Sequence, residues 1–200
     1  MESSEFIQIA SVLVFAYLLG SLPTALIVSK RFKGVDIRAI GDGNMGARNT
    51  FHAIGPRFGF MVAVIDFGKG VLPVLLAYLL GLSLGWQFLA GVLVILGHDF
   101  PVFAGFKGGQ GTASSLGTMA VLFPVATFIG LAIYGGLFLI KRNSNLSCSI
   151  GGAVIASILA VSQQWLLLAY AVTVFLLIPV KLFVDSPRRK AIAVVRNTRN

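Results

Sequence analysis

The sequence contains one cysteine, Cys148, two histidines, and seven acidic residues among 200. A single cysteine excludes an intramolecular disulfide and a thiolate metal cluster. Charge is scarce too: 12% of residues are charged and 56% are hydrophobic, with a mean hydropathy of +0.89. No water-soluble globule of this length covers so much apolar surface with so few charges. Disorder, a secreted disulfide scaffold and a nucleic-acid module are therefore poor readings, and the chain is read as a bilayer protein. The opening MESSEF is acidic rather than basic, and no small-residue cleavage site closes the first apolar run. That run is expected to remain as a membrane span.

What the chain does have is basic charge, 16 Lys+Arg for a net +9. In a membrane protein this marks cytoplasmic loops beside anionic headgroups. Apolar runs fall at 6–29 (punctuated by Gly20-Ser21-Leu22-Pro23), 58–80, 86–104, 112–140, 146–162 and 165–184. A crossing helix needs about 20 apolar residues. The 29 residues of 112–140 therefore fit one long tilted helix or two short ones, 112–122 and 125–140, hinged near Phe123-Pro124.

The positive-inside rule separates these options. Lys30, Arg31, Lys33, Arg38, Arg48 and Arg57 lie in the 30–57 loop, which is expected in the cytoplasm. The uncharged 81–85 connection is external, and Lys107 returns inside. Two short helices keep Lys141-Arg142 and the basic tail inside, whereas one long helix leaves that pair outside. The expected fold class is an all-α polytopic membrane protein with seven transmembrane helices, N-terminus out and C-terminus cytoplasmic. Six helices with an external basic pair is the alternative. One membrane-embedded domain is expected over 1–186, with cytoplasmic loops 30–57, 105–111 and 141–146, before a basic cytoplasmic tail at 187–200. No internal repeat is evident, which weakens an inverted-repeat transporter.

The loops carry the chemistry. In Gly41-Asp42-Gly43-Asn44-Met45-Gly46-Ala47-Arg48-Asn49, three glycines leave backbone N–H groups accessible to an anion. Asn44 and Asn49 add amide donors, and Arg48 adds a fork suited to phosphate. The spacing is not that of a Walker A loop, so a plain solvated loop and a phosphate cradle both stand. The second loop, Phe106-Lys107-Gly108-Gly109-Gln110-Gly111-Thr112, opens into a helix whose dipole favours an anion. Upstream, His98 is either a base or a hydrogen-bond partner of a loop carbonyl. Asp66 and Lys69 share one helix face inside the second span. Ionisable groups there are functional by default, yet a structural ion pair is the favoured reading. Asn143-Ser144-Asn145-Leu146-Ser147-Cys148-Ser149 starts another helix, first of all as a cap and secondly as a third polar wall. Cys148 has no evident partner base. Nothing matches a Ser-His-Asp triad, a zinc-ligand set or a nucleotide fold.

Taken in order, these residues resemble the bacterial acyl-phosphate–glycerol-3-phosphate acyltransferases. The resemblance runs through about residue 140. It includes Gly20-Ser21 with Pro23, Gly41-x-Gly43-Asn44-x-Gly46-Ala47-x-Asn49, Asp66-Phe67-x-Lys69-Gly70-x-x-Pro73, Gly97-His98-x-Phe100-Pro101-Val102-Phe103 and Phe106-Lys107-Gly108-Gly109-x-Gly111. It implies a small seven-helix inner-membrane enzyme moving a fatty acyl group from acyl phosphate to glycerol 3-phosphate, giving lysophosphatidic acid. It implies no coenzyme A, metal or acyl-enzyme, hence no cofactor. The implied partners are acyl phosphate, glycerol 3-phosphate and the bilayer, with no nucleic acid. By position, His98, Asn44 and Lys107 are the expected catalytic residues. Gly43, Asn49, Arg48, Gly108, Gly109 and Ser147 are expected to bind substrate or phosphate.

The family reads G-S-G-N-x-G-A-T-N-x-x-R where this chain has Asp42, Arg48 and His52 for the Ser, Thr and Arg. Gln110 replaces the second lysine of K-G-G-K-G, and Lys181 to Asp185 replaces the family's R-H-R-x-N tail. Arg48 sits one helical turn before His52, so a guanidinium has moved by a turn. A catalytically silent paralogue binding an anionic lipid or phosphate-bearing partner is the second reading, and a small anion transporter the third.

Overall fold

In a computed structural model, the described backbone covers residues 3–197 and the described side chains cover 3–143 and 146–187. Among the described residues there is no strand. The α-helices are α1 Ser3–Gly20, α2 Thr24–Lys33, α3 Ala47–Ile54, α4 Pro56–Leu79, α5 Leu84–Asp99, α6 Thr112–Leu122, α7 Pro124–Lys141, α8 Ser144–Val161 and α9 Trp165–Asn197. Short 3-10 turns cover Ile37–Ala39 and Val102–Ala104. Among the described residues five segments are long and apolar enough to cross a membrane: Ser3–Lys33, Pro56–Leu79, Leu84–Ala104, Pro124–Lys141 and Trp165–Pro187. Two shorter apolar helices, Thr112–Leu122 and Leu146–Val161, join them.

The first span is broken by its own chemistry. Pro23 has no N–H, and its ring opposes a continuous helix, so α1 stops at Gly20 and α2 restarts at Thr24. Backbone exposed by such a break must find partners in an apolar medium. The Leu22 carbonyl accepts the Thr24 N–H at 2.9 Å and the Lys69 ammonium at 3.0 Å.

The apolar run 112–140 is two helices that reverse at Phe123. Gly111, capping the start of α6, touches Asp99 and Ile95 at the end of α5. At the far end, the Phe123 ring meets Tyr170 edge-on at 6.4 Å, and Tyr170 packs on Phe88 near the start of α5. Pro124 then occupies the first turn of α7, where its missing N–H costs nothing. From there α7 returns along α8, with Gly130 against Gly151 and Ile155, and Tyr134 against Gly151.

Small residues bring the helices into backbone contact, as expected where lipid supplies no hydrophobic drive. Gly70 lies on the Ser114 carbonyl and Gly117 on the Phe67 carbonyl, joining α4 to α6. Gly20 lies on the Val94 carbonyl and Gly97 on the Tyr17 carbonyl, joining α1 to α5. The main core includes Val12, Ala77, Val94, Met119, Leu159 and Val174. A smaller apolar cluster beneath the first loop includes Leu26, Ile37, Met45, Val62 and Ala104. Large side chains such as Phe60, Leu79, Val125 and Phe183 point outward, as a lipid-facing surface requires.

Two expected loops are shorter than the sequence predicts. The 30–57 segment contains α3, which carries Arg48 and His52 on an exposed face. The 141–146 loop contracts to Arg142-Asn143, because the Asn143 side chain accepts the Leu146 N–H at 3.1 Å and starts α8 early. The backbone also continues as helix α9 from the apolar run through 187–197. Arg199 lies outside the described residues.

Candidate functional site

The last turn of α5 ends in His98 and Asp99, and α4 brings Asp66 and Lys69 beside them. All four are buried, with His98 only 7%, Lys69 4%, Asp66 1% and Asp99 1% exposed. The Lys69 ammonium lies 3.0 Å from Asp66 Oδ1, and His98 Nδ1 lies 3.7 Å from the same oxygen. Lys69 also donates to the Leu22 carbonyl at 3.0 Å, so it ties α4 to the break in the first span. From α6, Ser114 Oγ donates to the Asp66 carbonyl at 3.0 Å. The expected Asp66–Lys69 pair therefore exists, with His98 as an additional neighbour.

The second glycine-rich loop folds directly onto His98. The Gly108 N–H donates to the Asp99 carbonyl and the Gly109 N–H to the His98 carbonyl, each at 3.1 Å. A Cβ at Gly108 would collide with those carbonyls, and one at Gly109 with His98 Nε2. Gly111 has φ +65°, a conformation that side chains resist, and abuts the Asp99 carboxylate. The glycines are thus required by close approach. Two of their N–H groups are already bound to α5 and shape the loop rather than face an anion. Donors at this corner come from the first turn of α6, which lacks intrahelical partners, and from Lys107, which is exposed.

The first loop is held together by Asn49. Its Nδ2 donates to the carbonyls of Ile37, Ile40 and Asn44 at 3.2, 3.1 and 3.0 Å. Its Oδ1 accepts the Asp42 N–H at 3.0 Å. Asn49 is therefore committed to the loop's own backbone. The Asp42 carboxylate accepts the Asn44 N–H at 3.0 Å. Asn44 is buried, and its Oδ1 has no hydrogen-bond partner. Met45 and Ile37 belong to the same apolar cluster as Ala104, in the Val102–Ala104 turn that precedes the second loop. Arg38 adds a hydrogen bond to the Ala104 carbonyl at 3.4 Å. Arg38 also grips Asp36 with contacts of 3.0 and 2.7 Å. These hydrogen bonds hold the Asp36 carboxyl at about 2, against a partial opposing effect of burial.

Arg48 and Lys107 are both exposed, and among the described residues no hydrogen bond or ion pair joins either to the His98 cluster. Ser147 donates its hydroxyl to the Asn143 carbonyl at 2.9 Å, a helix-start contact within α8. Gly43 is buried in the first loop. Among the described residues no three His, Cys, Asp or Glu side chains gather as a metal would need.

Sequence reading missed a second buried pair. Lys181 Nζ donates to Asp185 Oδ1 at 3.1 Å and sits 4.3 Å over the Phe100 ring, next to His98 and Asp99 in sequence. Lys181 is 1% exposed. The signal was available: a lysine inside an apolar run, with a carboxylate four residues on, marks an intramembrane pair.

A family model described as glycerol-3-phosphate acyltransferase matches residues 10–186. The chain belongs to the glycerol-3-phosphate acyltransferase family. It is 42% identical over 147 residues to glycerol-3-phosphate acyltransferase 1 of Deinococcus radiodurans, covering 72% of this chain and 74% of that one. It is 36% identical over 167 residues to the glycerol-3-phosphate acyltransferase of Geobacter sulfurreducens, covering 83% and 86%. Among solved structures it resembles PlsY, an integral membrane glycerol 3-phosphate acyltransferase, in its glycerol 3-phosphate form. That match has TM-score 0.80 and 34% identity and covers 90% of both chains. The lysophosphatidic acid form of PlsY gives TM-score 0.77 over the same coverage. The all-helical membrane fold and the family expected from the motifs are thus found, including across the altered positions. Within the family frame, Asp42 stands on the first loop, Gln110 on the second loop that packs on His98, and the α9 substitution is the buried Lys181–Asp185 pair.

Proposed function

We propose that this chain transfers a fatty acyl group from acyl phosphate to a hydroxyl of glycerol 3-phosphate, giving lysophosphatidic acid for phospholipid synthesis. The observation that carries this reading is the packing of the Gly108-Gly109 loop onto a buried Asp66–Lys69–His98 cluster, in a chain of this family. The glycerol oxygen bonds to the acyl carbonyl carbon as the bond from that carbon to the phosphate oxygen breaks. The hydroxyl proton leaves to a base, and phosphate departs with the electron pair. No activated protein nucleophile is needed. Holding two phosphates close together and offsetting their repulsion supplies most of the acceleration.

In this reading Lys107 and the first turn of α6 bind phosphate, and His98 orients or polarises a reacting group. Asn44, with its unpartnered Oδ1, contacts substrate. Arg48 on α3 moves towards the bound phosphate, while Gly43, Asn49, Gly108 and Gly109 shape the walls. Ser147 contributes from α8. The membrane topology has α1 with α2 as one crossing and α4 to α9 as one each, seven in all, with the N-terminus outside. The basic residues of 30–57, Lys107 and Lys141-Arg142 then share the cytoplasmic face. The domain spans 1–186, followed by a basic tail.

One observation favours the second reading, a silent paralogue that binds a phosphate-bearing partner. The Asp42 carboxylate already takes the Asn44 N–H that an anion would use. The test supplies acyl phosphate and glycerol 3-phosphate to purified protein and measures lysophosphatidic acid. No product above background, beside an active family enzyme as control, sinks the acyltransferase reading. Retained glycerol 3-phosphate binding in that case favours the paralogue.

A further inference from the structure

We propose that Asp66 is a positioning residue for His98. It holds the imidazole with its proton on Nδ1 and leaves Nε2 as an acceptor facing the glycine-rich loop. The inference rests on the reading of His98 as a group that touches the reacting atoms, and it gives Asp66 a role beyond its pairing with Lys69.

The geometry comes from two helices. His98 Nδ1 is buried with no hydrogen-bond partner, and Asp66 Oδ1, buried beside it, is paired with the Lys69 ammonium and has room to accept a second bond. They lie 3.7 Å apart. A buried polar atom left unpaired costs about 1–3 kcal/mol, so His98 Nδ1 gains most from a bond to that carboxylate oxygen. Paired with the Lys69 ammonium at 3.0 Å, the Asp66 carboxylate only accepts. The proton in that bond must therefore sit on Nδ1. A shift of a few tenths of an ångström on each side closes the gap to ordinary hydrogen-bond length.

Asp66 is well placed to act in this way. Its carbonyl is held by Ser114 Oγ from α6 at 3.0 Å, and its partner Lys69 is held by the Leu22 carbonyl at the first-span break, also at 3.0 Å. The opposite edge of the ring, Nε2, lies against Gly109, where any side chain would collide with it. The two tautomers perform opposite chemistry at that edge. With the proton on Nδ1, Nε2 accepts a hydrogen bond and can orient or deprotonate a hydroxyl. With the proton on Nε2, the same atom donates. The arrangement has the logic of a carboxylate fixing the tautomer of a histidine, where replacing the carboxylate by its amide reverses the tautomer.

The chain has only two histidines, His52 and His98, so the tautomer can be read directly. In His52→Gln protein labelled with 15N-histidine, the one remaining imidazole reports which nitrogen is protonated. The expected spectrum has Nδ1 protonated and Nε2 bare. In Asp66→Asn that preference is lost or reversed. The kcat for lysophosphatidic acid formation falls by on the order of 10²-fold or more, with KM for glycerol 3-phosphate little changed, and Asp66→Glu recovers part of the rate. A purely structural Asp66–Lys69 pair moves stability and leaves the tautomer alone. Protonation on Nε2 in the His52→Gln protein overturns the proposal. So does a folded Asp66→Asn protein with an unchanged tautomer. If Asp66→Asn does not fold, the His52→Gln spectrum decides by itself. The spectrum needs no substrate, so failure of the acyltransferase reading appears in the product assay and failure of this proposal in the tautomer.

Discussion

Replacing Lys69 by Met tests how the buried cluster is held. The ammonium has two partners, Asp66 Oδ1 and the Leu22 carbonyl, each at 3.0 Å, and the side chain is 4% exposed. Methionine keeps most of the apolar volume and removes the charge. Asp66 is then a buried carboxylate that has lost its cationic partner, with the His98 imidazole 3.7 Å away. The break at Pro23 loses the donor that ties it to α4. Removing one partner of a buried ion pair costs about 3–5 kcal/mol, whereas replacing both partners is often close to neutral. In a domain of this size each kcal/mol is worth roughly 2–4 °C of melting temperature, so Lys69→Met should melt about 6–20 °C lower. The double variant Asp66→Asn with Lys69→Met should regain most of that loss. The assay is thermal unfolding in detergent, followed by helix content and by aggregation. A Lys69→Met protein as stable as wild type, or a double variant no better than the single one, refutes the account of the cluster as a mutually dependent pair.

Three further predictions concern the loops. Lys107→Ala should leave the melting temperature unchanged and weaken glycerol 3-phosphate binding by roughly tenfold or more, since a hydrogen bond to a charged group is worth about 1.5–3 kcal/mol; equal affinity by calorimetry defeats the phosphate assignment. Gly109→Ala places a Cβ on His98 Nε2. Displacing a reacting group by about 1 Å costs on the order of 10²-fold in rate, so kcat should fall without loss of helix content, and near wild-type turnover contradicts the loop–His98 contact. Because Arg38 lowers the Asp36 carboxyl from its ordinary value to about 2, the stability it contributes is full above about pH 4 and fades as pH falls towards 2. The pair is about a third exposed, so that contribution is at most about 1 kcal/mol. Asp36→Asn should flatten the wild-type loss of melting temperature between pH 6 and pH 3, and an unchanged slope excludes Asp36 as its source.

The sequence alone determined the membrane class, the all-helical fold and the family, because these depend on composition and on local order along the chain. Apolar run lengths set the helices, Pro23 and Pro124 set two breaks, and the glycine motifs carried the resemblance. The Asp66–Lys69 contact was also legible, since three residues on a helix define a face. Tertiary structure decided the rest. Residues 66, 98 and 109 come from α4, α5 and a loop, and nothing in their local spacing puts His98 between Asp66 and Gly109. The spending of Asn49 on loop carbonyls, and of the Gly108 and Gly109 N–H groups on α5, depends on which backbone comes within reach after packing. Lys181 lies in the apolar run 165–184, and only the packing of α9 sets its ammonium over the Phe100 ring. A one-dimensional pattern records which groups are present and how they repeat. Which buried groups become partners is set by helix–helix contact at Gly70, Gly117, Gly20 and Gly97, where the missing side chains let the backbones close.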